Sequence, residues 1–495
     1  MNVQKMIWYV KNHFTFFTLM ILMMENVVTA ATAPPSPYGP LPTPRQLQWS
    51  QLDEYAFVHF SINTFTDKEW GYGDESESLF HPTDFDADQI VTTAQQAGLK
   101  GIVLTCKHHD GFCLWPTKFT HHSIANSPWK NGKGDVVREI SDACHRHGMK
   151  FGVYLSPWDR NSSVYGRPEY ITYYRNQLRE LLTNYGLIFE VWLDGANGGD
   201  GFYGGAREMR KIDNRVYYDW PNTIKIIREL QPDAAIFSDG GPDARWVGNE
   251  QGHAGDPCWQ TLNAEGVFPG HADEKALNRG DRPGTHWLPA EVDVSIRPGW
   301  FYHAHEDAKV KTPAKLVEIY FQSVGRGANL ILNLPPDRRG RIPDVDVGAL
   351  KKWREILDQT FAVNLADGAS VTASNTRGDD AVYSPANLLD SNGTKYWATD
   401  DAVAAPEIVV ELPKPVAFNV VQLREYLPLG QRIDQFSIDA WIGDKWEPLA
   451  DGTSIGNRRL LQTRWVITKK VRLRITQHAA CPALWGFGLF KLPTE

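Results

Sequence analysis

The feature that most constrains this chain is a repeated pairing of a short apolar run with an amphipathic helical segment. "YAFVHFSIN" (55–63), "GIVLTCK" (101–107), "FGVYLS" (151–156), "LIFEVWLD" (187–194) and "AAIFSD" (234–239) read as strands. Each is close to continuously apolar, the pattern of strands covered on both faces. The segments between them have helix signals. "DADQIVTTAQQAG" (86–98) has an acidic start and a glycine stop. "GDVVREISDACHRHG" (134–148) puts Val136, Val137, Ile140, Ala143, Cys144 and His147 on one face. "PEYITYYRNQLRELLTNYG" (168–186) runs from Pro168 to Gly186, and "WPNTIKIIRELQP" precedes the fifth strand. Such alternation builds a parallel sheet with right-handed crossovers. "AEVDVSI" (290–296) and "ANLILNLPP" (328–336) are later strands around the helix "TPAKLVEIYFQSVG"; the seventh strand has no legible segment. The class is α/β, and a (β/α)8-like barrel fits best. An open doubly wound sheet is the alternative, but no GxGxxG follows the first strand.

After about residue 362 the texture changes. "ADGASVTASNT", "AVYSPANLLDSNGTKYWATDD", "EIVVELPKPVAFNVVQLREY" and "VRLRITQ" are short strands with polar turns and little helix, the signature of an all-β sandwich. Residues 1–33 read as an export signal: Lys5 and Lys11, then the apolar "FTFFTLMILMM", then small residues in "VVTAATA". The apolar run is short for a membrane span, so no membrane anchor is expected once the signal is cleaved. The expected organisation is a signal at 1–33, a catalytic barrel at 34–362 and a β-sandwich at 363–495. The protein is expected to be exported, periplasmic or secreted.

A net charge of -8 and a pI near 6.0 argue against nucleic acid or an anionic membrane as partner. Five cysteines, an odd number without CxxC spacing, read as small buried apolar residues rather than a zinc site. Eighteen tryptophans suit either a large β-rich core or flat apolar ligands such as sugar rings.

A (β/α)8 barrel presents its chemistry at the C-terminal ends of its strands. Those ends carry His59, then Glu69 and Trp70; His108 and His109; Tyr154 and Trp158; Trp192 and Asp194. The loop after the fifth strand carries Asp239, Arg245, Trp246 and Glu250. Carboxylates, imidazoles and tryptophans thus converge on one mouth, without phosphate-cradling loops. Two carboxylates flanking a bond are the equipment of glycoside hydrolysis. A metal-dependent barrel hydrolase using His59, His108, His109 and Asp194 is a second reading. It is weakened because strand 1 has a single histidine, and adjacent His108 and His109 should point to opposite sides. A barrel that only binds sugar is a third.

Together "FVHFSINTF…KEW", "CKHHDGFCLWPT", "GVYLSPWD", "FEVWLDGANG", "GPDARWVGNE" and "PAEVDVSIRPGWFYH" resemble glycoside hydrolase family 29, the retaining α-L-fucosidases, over about 45–340. They most resemble the subfamily acting on α-1,3- and α-1,4-linked fucose in branched, Lewis-type glycans; a broad-specificity α-L-fucosidase is the alternative. The resemblance implies Asp194 as nucleophile and His59, Glu69, Trp70, His108, His109 and Trp192 as fucose-pocket residues. It implies Glu250 as acid/base, with Asp239 as the other candidate. The substrate would be a fucosylated oligosaccharide or glycoconjugate, with no cofactor and no catalytic metal. The 239–300 region carries Asp239, Arg245, Trp246, His253, Trp259, Trp287, Glu291 and Trp300, groups suited to a neighbouring galactose. Fewer than half are expected to touch substrate, the others being structural, with Glu291 as an example of a galactose contact. The C-terminal region, through "SPANLLDSNGTKYWATDD" with Asp390 and Trp397, resembles a discoidin-like module of carbohydrate-binding module family 32, in which a structural calcium is possible.

Overall fold

The computed structural model describes residues 32–271, 273–390 and 393–493; the expected signal at 1–33 falls almost wholly outside them. Eight parallel strands close into a barrel in sequential order: β1 (Glu54–Val58), β2 (Gly101–Lys107), β3 (Lys150–Leu155), β4 (Glu190–Trp192), β5 (Ala235–Ser238), β6 (Ala244–Trp246), β7 (Ala290–Ser295) and β8 (Asn329–Asn333). β1 pairs with both β2 and β8, which closes the ring. The open doubly wound alternative is therefore excluded.

Local sequence sets the crossover helices. Asp86 accepts from Gln89 N to cap Ala87–Gln96, and Asp135 accepts from Arg138 N to cap Val136–Arg146. Val136, Val137, Ile140, Ala143 and Cys144 are buried as the periodicity requires, whereas His147 ends the helix at its C-cap and bonds Asp88. The strand without a legible segment is the sixth rather than the seventh. β6 is only three residues long, "ARW", and follows β5 after five residues with no intervening helix. An arginine-bearing triplet gives no apolar run to read.

The C-terminal strands are β9 (Ser370–Ala373), β10 (Trp397–Ala398), β11 (Glu407–Glu425), β12 (Ile433–Ile442), β13 (Lys445–Gly452), β14 (Arg459–His478) and β15 (Ala483–Phe490). They form one antiparallel sheet in the order β10-β15-β11-β14-β12-β13, with β9 on β11. β11 and β14 are long enough to serve two halves. β11 pairs with β9 at its start and with β15 at its end, with register shifts between. Buried residues of both halves, among them Val410, Leu473, Val421 and Leu489, share one apolar cluster, so the bent sheet makes its own sandwich-like core. The last barrel helix ends at Phe361 and β9 begins at Ser370, which brackets the expected change of texture. All five cysteines are buried and free. No helix among the described residues is long and apolar enough to cross a membrane.

Candidate active site

Alternation along each strand decides which side chains enter the barrel. On β1 these are Tyr55, Phe57 and, just beyond its end, His59. On β4 and its continuation they are Glu190, Trp192 and Asp194. Tyr55, Phe57, Trp192, Phe237 and Ile331 pack together inside the ring, and Trp192 stacks on Phe237 at 4.2 Å. Asp194 is thus the top rung of a ladder whose lower rungs are buried.

Above this packing lies a pocket of about 110 Å³. His59, His108, His109, Tyr154, Trp192 and Asp194 form its floor and walls; Trp70, Glu250, Asp293 and Trp300 complete it. Both oxygens of Asp194 are held: Tyr154 donates its hydroxyl to Oδ2 at 2.8 Å, and the Ala196 N–H donates to Oδ1 at 2.6 Å. His109 Nε2 lies 3.8 Å from Oδ2. Burial, and then the Asp194 charge, push the Tyr154 phenol well above its ordinary range, so it stays a donor. A Cβ on Gly195 would meet Asp239 Oδ2 at 2.3 Å, so any larger residue there would have to push the Asp239 carboxylate aside.

Burial disfavours the charged form of all three pocket histidines, and the hydrogen-bond networks place a proton on Nδ1 of two of them. Asn333 Nδ2 donates to Ser295 Oγ and the Trp300 carbonyl, so its Oδ1 accepts from His59 Nδ1 at 2.8 Å. That leaves His59 Nε2 as an acceptor. Ser156 Oγ donates to the Trp158 carbonyl and accepts from His109 Nδ1 at 2.7 Å, leaving His109 Nε2 toward Asp194. Burial lowers all three: His59 to about 3, His108 well below its ordinary value, and His109 in the same direction against the pull of Asp194. The rings of His108 and His109 lie 4.1 Å apart and both face the pocket, because the chain leaves β2 at Lys107 and no longer alternates.

Glu250 stands at the rim, where Trp300 Nε1 donates to its Oε2 at 3.1 Å. Burial raises its carboxyl, the indole bond opposes this, and the Asp194 charge adds to it. Glu69 acts one step back. It accepts from the N–H groups of Trp300 (2.7 Å) and Phe301 (3.1 Å) and meets His303 Nε2 at 2.7 Å, so it reaches the pocket by holding the loop that carries Trp300. Trp70 is 52 % exposed and sets its ring edge-on to His109 and Trp158. Asp239 lies behind Gly195 with Oδ2 accepting from Gly270 N at 2.7 Å; burial pushes it up to about 6.

Arg245 and Glu291, both expected to touch substrate, stand outside the pocket lining. Arg245 is fully buried and donates to the carbonyls of Leu277, Leu288 and Trp259; on β6 it alternates outward while Trp246 faces in. Glu291 is fully buried in the barrel interior, accepting from Trp192 Nε1 at 2.7 Å and from the Tyr55 hydroxyl. It lies on the inward face of β7 but two residues below the pocket. The residue that reaches the pocket from that face is Asp293, which the sequence reading missed. Its Oδ1 accepts from Trp246 Nε1 at 2.8 Å. Burial, then the charges of Glu250 and Glu291, push its carboxyl well above the usual range, which favours the protonated form. The other 239–300 residues divide similarly: Trp300 lines the pocket, while Trp259 and Trp287 are buried structure.

Beneath the floor Glu190 and Glu291 face each other, with the Tyr55 hydroxyl between them. Both carboxyls are raised by burial, and Glu190 Oε2 has no donor partner, as expected if it carries a proton. Among the described residues, one group has donor atoms close enough for a metal ion: Asp67, His303 and His305. His303 already bonds Asp67 through Nδ1 and Glu69 through Nε2.

The α-L-fucosidase family model matches residues 41–359. Alpha-L-fucosidase 1 of Arabidopsis thaliana is 40% identical over 484 residues, 96% of this chain and 93% of the relative. A glycoside hydrolase family 29 structure from an unknown rumen bacterium superposes with a TM-score of 0.84 at 43% identity, covering 93% of this chain and 78% of its own. A Ruminococcus gnavus family 29 fucosidase in complex with fucose gives 0.85 at 32% identity, covering 95% and 98%.

Proposed function

Given that this chain belongs to the α-L-fucosidase family, glycoside hydrolase family 29, we propose that it is an exported, retaining exo-α-L-fucosidase acting on α-1,3/1,4-linked fucose in branched glycans. The observation that carries the mechanism is the pairing in one pocket of a clamped carboxylate, Asp194, with a second carboxyl, Glu250, raised by burial and standing at the open rim. Asp194, aimed by Tyr154 and Ala196 N, attacks C1 of fucose. Glu250 gives its proton to the departing glycosidic oxygen. A glycosyl-enzyme bond forms on Asp194; Glu250 then takes a proton from water as the water attacks C1, and fucose leaves with its configuration retained. Asp239 is the weaker acid/base candidate, because it sits behind Gly195 and outside the pocket lining. Neutral His59, His108 and His109 supply hydrogen-bonding nitrogens for sugar hydroxyls, and Trp70, Trp192 and Trp300 supply apolar faces.

The test is the pair Asp194→Ala and Glu250→Ala on an activated aryl fucoside and on a fucosylated glycan. Asp194→Ala should lose several orders of magnitude on both, with azide restoring turnover as the fucosyl azide of inverted configuration. Glu250→Ala should lose far more on the glycan than on the aryl fucoside, whose leaving group needs no proton. If Asp239→Ala gives that pattern and Glu250→Ala does not, the acid/base assignment falls. Linkage is read on a panel of linear α-1,2 and branched α-1,3/1,4 substrates. Comparable rates across it favour the broad-specificity reading.

Export rests on the N-terminal sequence and is tested by the N-terminus of the mature protein. The bent antiparallel sheet supports a discoidin-like, carbohydrate-binding module family 32-like reading of the C-terminal domain. Among the described residues Asp400 accepts from Asn375 and Gly378, and Asp401 pairs with Arg377; a structural calcium near Asp390 is tested by melting the protein with and without a chelator. Ser391 and Asn392, beside Asp390, lie outside the described residues.

A further inference from the structure

A second polar cavity, about 360 Å³, lies at the opposite end of the barrel from Asp194. Its barrel wall includes Asp53, Glu54, Lys100 and Arg354; the C-terminal domain contributes Arg424 on β11 and Arg458 just before β14. Glu54 opens β1 and Lys100 immediately precedes β2, so this is the N-terminal face of the ring.

The charges in this wall do not balance. Arg354 pairs with Asp358 and Glu54, and Arg458 pairs with Asp53 at 3.0 Å. The other Asp53 oxygen accepts from Asn457. Glu54 is pushed up to about 7 by burial, so near neutrality it supplies only part of a negative charge, and its Oε2 has no partner. Arg424 has no carboxylate partner among the described residues. It gives one hydrogen bond to the Asn457 carbonyl at 3.3 Å and lies over the Trp485 ring at 4.9 Å. Burial and the neighbouring Arg458 charge lower it to about 10. Arg458 Nη1 donates to the Tyr320 hydroxyl at 2.6 Å, which leaves its buried Nε as the one donor without an acceptor among the described residues. Two guanidinium groups that repel one another, with donors left over, would be stabilised by an oxyanion between them. Guanidinium forks match the planar oxygens of such a ligand.

We propose that this cavity binds a small oxyanion that bridges the barrel and the C-terminal sheet. An adjoining cavity of about 380 Å³ shares Asp53, Arg424 and Arg458 and adds Tyr426 and Trp485. The anion therefore has two sources, a free inorganic ion or the acidic group of a sugar whose ring lies on those aromatic side chains.

The experiment measures binding of inorganic phosphate, sulfate and glucuronate to the full chain by calorimetry. Melting is followed in each anion and in chloride at matched ionic strength. At least one of the three should bind saturably and raise the melting temperature above the chloride control. Arg424→Gln should weaken that binding tenfold or more and erase the specific stabilisation, with kcat/KM on an aryl fucoside unchanged. Arg424→Lys, which keeps the charge and loses the fork, should fall between. Tighter binding of glucuronate assigns the acidic sugar; tighter binding of phosphate or sulfate assigns the free ion. Equal stabilisation of wild type and Arg424→Gln, or no saturable binding of any probe, overturns the site. If Arg424→Gln does not fold, Arg424→Lys carries the comparison, and its binding every probe as wild type does also overturns the site.

Discussion

The indole N–H of Trp300 donates to Glu250 Oε2 across 3.1 Å, and the backbone N–H of the same tryptophan is held by Glu69. A residue 231 positions earlier in the chain therefore sets where the rim carboxyl stands. Gly299 makes this approach feasible, since a Cβ there would meet Glu69 Oε1 at 2.5 Å. The loop, its anchor and the acid/base candidate form one mechanical unit.

Trp300→Phe separates the hydrogen bond from the aromatic face. The indole stabilises the ionised form of Glu250, so its loss raises the Glu250 pKa further. Glu250 must be protonated to act as acid, and kcat/KM falls as pH rises through its pKa. The alkaline limb of the profile should therefore move to higher pH. Because Glu250 also loses the bond that positions it, activity on an unactivated glycan, compared on the pH plateau where Glu250 is protonated in both proteins, should drop about tenfold, a fraction of what a general acid supplies. An unmoved alkaline limb would detach Trp300 from Glu250.

Glu291→Ala tests whether that residue serves the floor or a second sugar. Truncation leaves Trp192 Nε1 without its acceptor and opens a cavity in the barrel, a cost of about 3 kcal/mol in stability. Because Trp192 underlies the pocket itself, aryl fucoside and branched glycan should lose kcat/KM by the same factor. A loss confined to the branched glycan would restore Glu291 as a contact to the neighbouring sugar.

The barrel and most of its mouth were legible because apolar runs ending in His59, His108, Tyr154 and Asp194 obey a local rule of strand length and strand end. β6 was not, since three residues carry no period. Arg245 and Glu291 were misplaced for a related reason. Which face a strand residue takes depends on parity, and how high it sits depends on where the strand begins, which the sequence blurs by a residue or two. Asp293 had a signal in "EVDV", where two acids alternate with two valines: both acids share a face, and the later one is nearer the C-terminal end. The roles of Glu69 and Asn333 rest on contacts across more than two hundred residues, which no local pattern encodes.

His59 should make the fold sensitive to acid. Its folded pKa is about 3 against about 6.5 unfolded, so the unfolded chain binds the extra proton between those values. Stability supported by neutral His59 is present above pH 6.5 and is lost as pH falls toward 3. His59→Gln removes this term while keeping an N–H for Asn333. Denaturant unfolding of both proteins should show wild type losing about 2–3 kcal/mol relative to the variant between pH 7 and pH 4.5. Parallel stability curves would mean that His59 is not held neutral by the fold.

Asp293 offers the sharpest contrast between charge and hydrogen bonding. Its buried carboxyl accepts from Trp246 and lines the pocket beside Glu250. If it ionised, its negative charge would raise Glu250 further and oppose the ionised Asp194 that must attack. Held as a neutral acid, it can donate a hydrogen bond into the pocket at no electrostatic cost. Asn is neutral, nearly isosteric and keeps both an acceptor for Trp246 and a donor for the pocket. Asp293→Asn should therefore keep kcat/KM within about threefold of wild type, with an unchanged pH profile, since no charge is removed. Asp293→Ala leaves the Trp246 indole unpaired and empties that corner, and should cost about 1–3 kcal/mol in stability and at least tenfold in kcat/KM. A large loss in Asp293→Asn, with the alkaline limb displaced to lower pH, would mean that Asp293 is ionised in the working enzyme and that its charge, rather than its proton, tunes Glu250.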